Sequence, residues 1–245
     1  MTVGLFIPCY IDQFYPQVGM ATVKLLEKFG IDFEYPFEQT CCGQPMANSG
    51  CTSDAKKVAE KFYNEFINYD QIICPSGSCV AMIKHQYPHL LPDKDIKPLS
   101  EKTYELVEFL TEISEINQLE VSYPHKVGIH QSCHGLRELK LASATELRID
   151  SYNKVETLLK KVKDIEIISL DRSDECCGFG GMFSTYEEAI SCSMGNDRIQ
   201  DHLKHQATII TGVDMSCLMH LEGLIKRQKS PLQVKHIAEI LVGEQ

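Results

Sequence analysis

Two stretches of this sequence place cysteines side by side ahead of a glycine: "EQTCCGQPM", with Cys41, Cys42 and Gly43, and "DECCGFGGM", with Cys176, Cys177 and Gly178. Thiolates bind soft metals and do redox chemistry, while successive side chains of an extended segment point to opposite sides. Adjacent cysteines are therefore poorly placed to share one small ion in a relaxed tetrahedron. They suit a polynuclear iron–sulfur centre, where neighbouring thiolates reach different metal atoms and a glycine lets the backbone come close. A strained vicinal disulfide and two unrelated buried thiols are the other uses of such a pair, and repetition of the motif weighs against both.

The pairs fall within a duplicated frame. "VGLFIPC" ending at Cys9 matches "VGIHQSC" ending at Cys133; the CCG stretches follow; then "QIICPSGSC", carrying Cys74 and Cys79, matches "TIITGVDMSC" ending at Cys217. A tail of helical pattern closes each half, "TYELVEFL" at 103–110 and "VKHIAEIL" at 234–241. The proline and polar residues of "EVSYPHK" mark the boundary, giving domains 1–122 and 123–245.

Short apolar runs alternate with helical stretches in both halves, the pattern of parallel strands covered by helices. The expected fold is α/β, two duplicated cysteine-rich domains related by pseudo-twofold symmetry. Strands are expected at 3–7, 72–73, 127–129, 165–170 and 208–210, and helices at 53–69, 151–162, 186–205 and 215–228. "GMATVKLLEKFG" adds an amphipathic helix closed by Gly30. Cys9, Cys133, Cys74 and Cys217 then sit at or just past strand ends, where open parallel sheets frame their ligand crevice.

With 245 residues, 43% of them hydrophobic, the chain can bury a substantial core. A net charge of −10 opposes loose attraction to nucleic acid or anionic lipid, so neither is expected as a partner. No run reaches the roughly 18 apolar residues of a membrane span, and "MTVGLFIPCYID" lacks a basic, cleavable leader, so a cytoplasmic location is expected. Eleven cysteines in a reducing compartment point to metal or redox chemistry rather than disulfides. "GFGG" at 178–181 lacks dinucleotide spacing and no phosphate-loop motif occurs, so nothing supports a flavin or nicotinamide site.

The strings "CPSGSCV", "SCHGLREL", "ECCGFGG" and "SCLMH" resemble the cysteine-rich CCG-domain family of iron–sulfur proteins, over nearly the whole chain. Its members include subunits of heterodisulfide reductase, of glycolate oxidase and of bacterial lactate-utilisation systems, the last being most similar. Carried over residue by residue, the resemblance makes Cys9, Cys41, Cys42, Cys74 and Cys79 the ligands of a first centre. Cys133, Cys176, Cys177 and Cys217 form a second, with Asp214, at the first position of the expected CxxC, as an additional ligand. The pair Cys74 and Cys79 departs from CxxC by its wider spacing.

The implied cofactors are [4Fe–4S] clusters, of noncubane type in the five-cysteine half, with zinc as an alternative in one site. The implied role is electron transfer in the oxidation of L-lactate to pyruvate, with other iron–sulfur subunits of a lactate-utilisation complex as partners; glycolate or another 2-hydroxy acid is equally allowed. A thiol–disulfide reductase and a zinc-binding scaffold are the alternatives. Cys51 and Cys192 fall outside both frames and are read as structural. His130 and His134 flank Cys133 and are placed outside the ligand set, able to hydrogen-bond a ligand sulfur or to replace one at zinc. Arg137 and Arg172 lie near the second set and suit a substrate carboxylate.

Overall fold

A computed structural model of the chain describes residues 2–114 and 119–243. Among the described residues, seven strands form two all-parallel sheets. The first holds β1 (Val3–Leu5), β2 (Gln71–Cys74) and β3 (Thr103–Glu105) in that order. The second holds β4 (Lys126–Ile129), β5 (Glu166–Ile168), β6 (Ile209–Gly212) and β7 (Gln233–His236) in the order β5-β4-β6-β7. The first sheet retains a trace of the fourth position: Glu34 bridges to Gly4, with Leu5 N donating to Glu34 O at 2.8 Å, on the side of β1 where the second half has β5 beside β4. Equivalent strands therefore occupy equivalent places, as the duplication requires.

The expected strands and helices are present with bounds shifted by a few residues, and the helix Met215–Gln228 as expected; the others include Pro16–Lys28, Thr52–Phe66, Lys154–Leu159 and Glu188–Lys204. The two tails differ from the sequence reading. Each begins as a strand, β3 or β7, and only then becomes a helix, Leu106–Glu108 or Ile237–Val242. Pairing with β2 or β6 supplies backbone partners that local helical period cannot outweigh. The change of structure is enforced by matching capping boxes. Glu105 accepts from Val107 N while Glu108 accepts from Glu105 N, and His236 accepts from Ala238 N while Glu239 accepts from His236 N.

These tail helices are exchanged between halves. Ile237–Val242 packs on Pro16–Lys28 of the first half, and Leu106–Glu108 packs on Lys154–Leu159 of the second. Leu25, Leu26, Ile237, Ile240 and Leu241 belong to one apolar core that runs through both sheets. Among the described residues, no helix is long and apolar enough to cross a membrane.

Candidate metal centres

Both CCG loops use their glycine for the same backbone purpose. Gly43 and Gly178 have φ of +87° and +86°, a left-handed conformation that a side chain disfavours. The turn brings each glycine N–H back onto the first cysteine, with Gly43 N 3.3 Å from Cys41 Sγ and Gly178 N 3.3 Å from Cys176 Sγ. In the second loop Phe179 N also donates to Cys177 Sγ at 3.5 Å. Glu175, just before this pair, faces the fully buried Arg198 at 3.7 Å, which fixes the loop against the helix Glu188–Lys204.

The remaining cysteines arrive from the strand ends. Cys9 begins the short helix after β1, and its sulfur lies 3.5 Å from Cys41 Sγ. Cys74 ends β2, and Cys79 lies in the first turn of a helix whose N-cap, Ser76, accepts from Cys79 N. Cys41 interacts with Cys42, Cys42 with Cys79 and Cys79 with Cys74, so these thiols form one contiguous group. The second half repeats it: Cys133 meets Cys176, Cys176 meets Cys177, and Cys177 meets Cys217. Cys41 and Cys79 in the first group and Cys176 in the second are held acidic, Cys79 chiefly by Cys42 and Cys74. Hydrogen bonds from Cys42 and Cys9 lower Cys41 from 9.0 to about 3, and those from Cys133 and Cys177 lower Cys176 from 9.0 to about 2. Cys9 and Cys133, the donors to these thiolates, are pushed up.

The sequence signature of the cysteine-rich CCG domain matches residues 3–84 and 127–222, the two segments that carry these thiol groups. The chain belongs to the CCG cysteine-rich domain family. Similar proteins include lactate utilization protein A from Geobacillus thermodenitrificans, 39% identical and aligned over 98% of each chain. The protein of the same name from Halalkalibacterium halodurans is 40% identical, over 98% of this chain and 96% of that one. Among solved structures, a glutamate racemase from Bacillus anthracis aligns with a TM-score of 0.36 and 11% identity, over 98% of this chain and 78% of that one; likeness at this level carries no argument.

Around the CCG thiols the two halves meet. A cavity of about 690 Å³ opens on Cys133, Cys176, Cys177 and Cys217, with Tyr10, Gln44 and Asn48 of the first half forming its far wall. The first thiol group is more enclosed: the space beside Cys9, Cys42 and Cys79 is about 30 Å³ and shares Tyr10, Gln44, Ser78 and Ser216 with its neighbour. No motif in the sequence signals that first-half residues line the second-half cavity, because the facing arises from tertiary packing.

The donor sets fit a soft, polynuclear metal group: contiguous thiols, with acidic members in each set and backbone N–H groups directed at sulfur. Asp214 is differently employed. It caps the helix Met215–Gln228 through Ser216 N and reaches across to the first half, accepting from Ser78 N at 2.8 Å and Ser78 Oγ at 3.1 Å. Both its oxygens are occupied by these donors, and it locks the halves together. Arg137 pairs with Glu146 at 2.7 Å and Arg172 with Glu175 at 2.7 Å, and neither lines the cavity. His134 contacts Gln44 at 3.3 Å and Glu138 at 3.8 Å. His130 is buried, and one ring nitrogen lies within 4.8 Å of Cys177 Sγ and Cys217 Sγ. Cys51 is exposed and Cys192 lies on the helix Glu188–Lys204, both outside the thiol groups.

Proposed function

We propose that this chain is an iron–sulfur electron-transfer component of a system that oxidises L-lactate, or a closely related 2-hydroxy acid, to pyruvate. The carrying observation is the gathering of nine thiols into two contiguous groups at the carboxyl ends of parallel strands. Cys9, Cys41, Cys42, Cys74 and Cys79 would hold one centre, and Cys133, Cys176, Cys177 and Cys217 the other. Iron–sulfur clusters bound there supply one-electron steps, whereas oxidation of a 2-hydroxy acid to its 2-keto acid releases two electrons and two protons. The relatives' name supports the substrate class, and we assign hydride removal and further clusters to partner subunits. A cytoplasmic location accords with free thiols throughout.

The chain's own groups prepare these sites. Glycine N–H donors stabilise negative charge on Cys41 and Cys176, which favours the reduced, more negative state of a bound cluster. Tyr10, Phe179 and Met219 give the cavity beside the second thiol group an apolar wall.

A thiol–disulfide reductase is the second reading, favoured by the cavity that opens directly on the second thiol group. Anaerobic mixing with the partner proteins separates the two. L-lactate should bleach the visible absorbance of the oxidised chain and yield pyruvate. Bleaching by dithionite but not by lactate, with reoxidation by a disulfide, would establish the reductase instead.

A further inference from the structure

The two thiol groups differ by one member, and the missing member is replaced. Leu5 pairs with Ile73 across β1 and β2, so the next residues, Phe6 and Cys74, are neighbours at the strand ends. In the second half Ile129 pairs with Thr211, so the corresponding neighbours are His130 and Gly212. Where the first half has an apolar ring and a thiol, the second has an imidazole and no side chain.

Each partner of the exchange makes physical sense. Phe6 is fully buried against Phe62 and Phe66, with ring centroids 4.9 and 5.7 Å away, and offers no donor atom. Cys74 instead lies beside Cys79, its S–H donating to Ser76 O at 3.8 Å, and extends the first group. At Gly212 a Cβ would lie 2.7 Å from His130 O, so a cysteine cannot stand there without moving the adjacent strand. His130 is 2% exposed, and neither Nδ1 nor Nε2 has a hydrogen-bond partner among the described residues. A buried imidazole with both nitrogens unpaired is costly unless a group absent from the polypeptide engages it. The nitrogen lies within 4.8 Å of Cys217, the equivalent of Cys79, and of Cys177, the equivalent of Cys42.

We propose that His130 is the fifth ligand of the second centre, its imidazole nitrogen standing where the first centre uses the Cys74 thiolate. This rests on the iron–sulfur reading of the second thiol group. A neutral nitrogen in place of an anionic sulfur leaves that centre less negative, so it is the more easily reduced of the two, as histidine ligation raises the potential of two-iron clusters. Electrons accordingly pass from the first half to the second, whose cavity faces outward.

The test is pulsed electron paramagnetic resonance on anaerobically prepared full-length protein, grown with natural-abundance or ¹⁵N-labelled histidine and poised in the paramagnetic state. The expected result is a strongly coupled nitrogen that changes with the histidine label and vanishes in His130→Phe, a substitution that copies Phe6 of the first half and is checked for folding by circular dichroism. Cys177→Ser identifies the signal's centre by removing it together with iron. A second centre that disappears in Cys177→Ser yet shows no histidine-dependent coupling overturns the His130 assignment alone, and the wild-type labelling result stands without the variant. Iron and sulfide unchanged by Cys177→Ser would overturn both this assignment and the iron–sulfur reading of the second half.

Discussion

Cys176 and Cys192 share the second half and differ in everything that matters to a metal. Cys176 is ionised by its neighbours and receives a backbone N–H; Cys192 sits on a helix outside the group. Serine at Cys176 keeps the volume but supplies a hydroxyl reluctant to ionise, so Cys176→Ser is expected to lose about half of the iron in a protein with two four-iron centres. Cys192→Ser should retain all of it, as measured by iron content per folded chain. The glycines after the pairs are expected to differ too. A Cβ on Gly178 would meet Ser191 O at 2.6 Å, whereas on Gly43 the nearest atom, Ala55 O, is 3.4 Å away. Gly178→Ala should therefore cost about 3 kcal/mol and Gly43→Ala about 1 kcal/mol in denaturant unfolding. For Asp214, Asn retains one acceptor oxygen, enough for the cap and Ser78 Oγ, but its NH2 would face Ser78 N, so Asp214→Asn should keep its iron with some loss of stability, and Asp214→Ala should lose about 2 kcal/mol. The sulfur positions were legible because repetition singles them out; His130 and His134 were flagged together by their place beside Cys133, and only the neighbourhood of Phe6, Cys74 and Gly212 distinguishes His130 from its fellow.

The strand-to-helix switches that close each half depend on their capping residues, and one of them is sensitive to acid. Burial holds His236 down from 6.5 to about 4, with the carbonyls of Val213 and Pro75 close by. An unfolded histidine protonates near 6.5, so the contribution of neutral His236 is fully present above that pH and is lost as the pH falls from 6.5 towards 4. His236→Asn keeps an acceptor for Ala238 N and cannot titrate. Urea midpoints at pH 7, 5.5 and 4.5 should fall less steeply in that variant than in the wild type; equal slopes would show that His236 gains no proton on unfolding. The helical period of both tails was visible in the sequence, but their opening residues became β3 and β7 because a neighbouring strand in the finished sheet offers them partners. Local pattern carries no record of that neighbour.

The halves are duplicated yet not independent, since each lends its last helix to the other and Asp214 hydrogen-bonds to Ser78 across the join. Leu241, fully buried in the shared core, illustrates the consequence. Leu241→Ala should cost about 2–5 kcal/mol and weaken amide protection in β1 and β2 as well as in β6, because the core it thins is common to both. Duplication was readable from the order of motifs, whereas the exchange of tails was not, because either half could have covered its own sheet. What decides the molecule's chemistry is the content of the two thiol groups, and this is read most directly by iron, acid-labile sulfide and zinc analysis of protein purified without oxygen. Two four-iron centres correspond to about eight iron and eight sulfide per chain, with a brown colour that bleaches on reduction; colourless protein holding stoichiometric zinc and no labile sulfide, even after attempted cluster reconstitution, would contradict it.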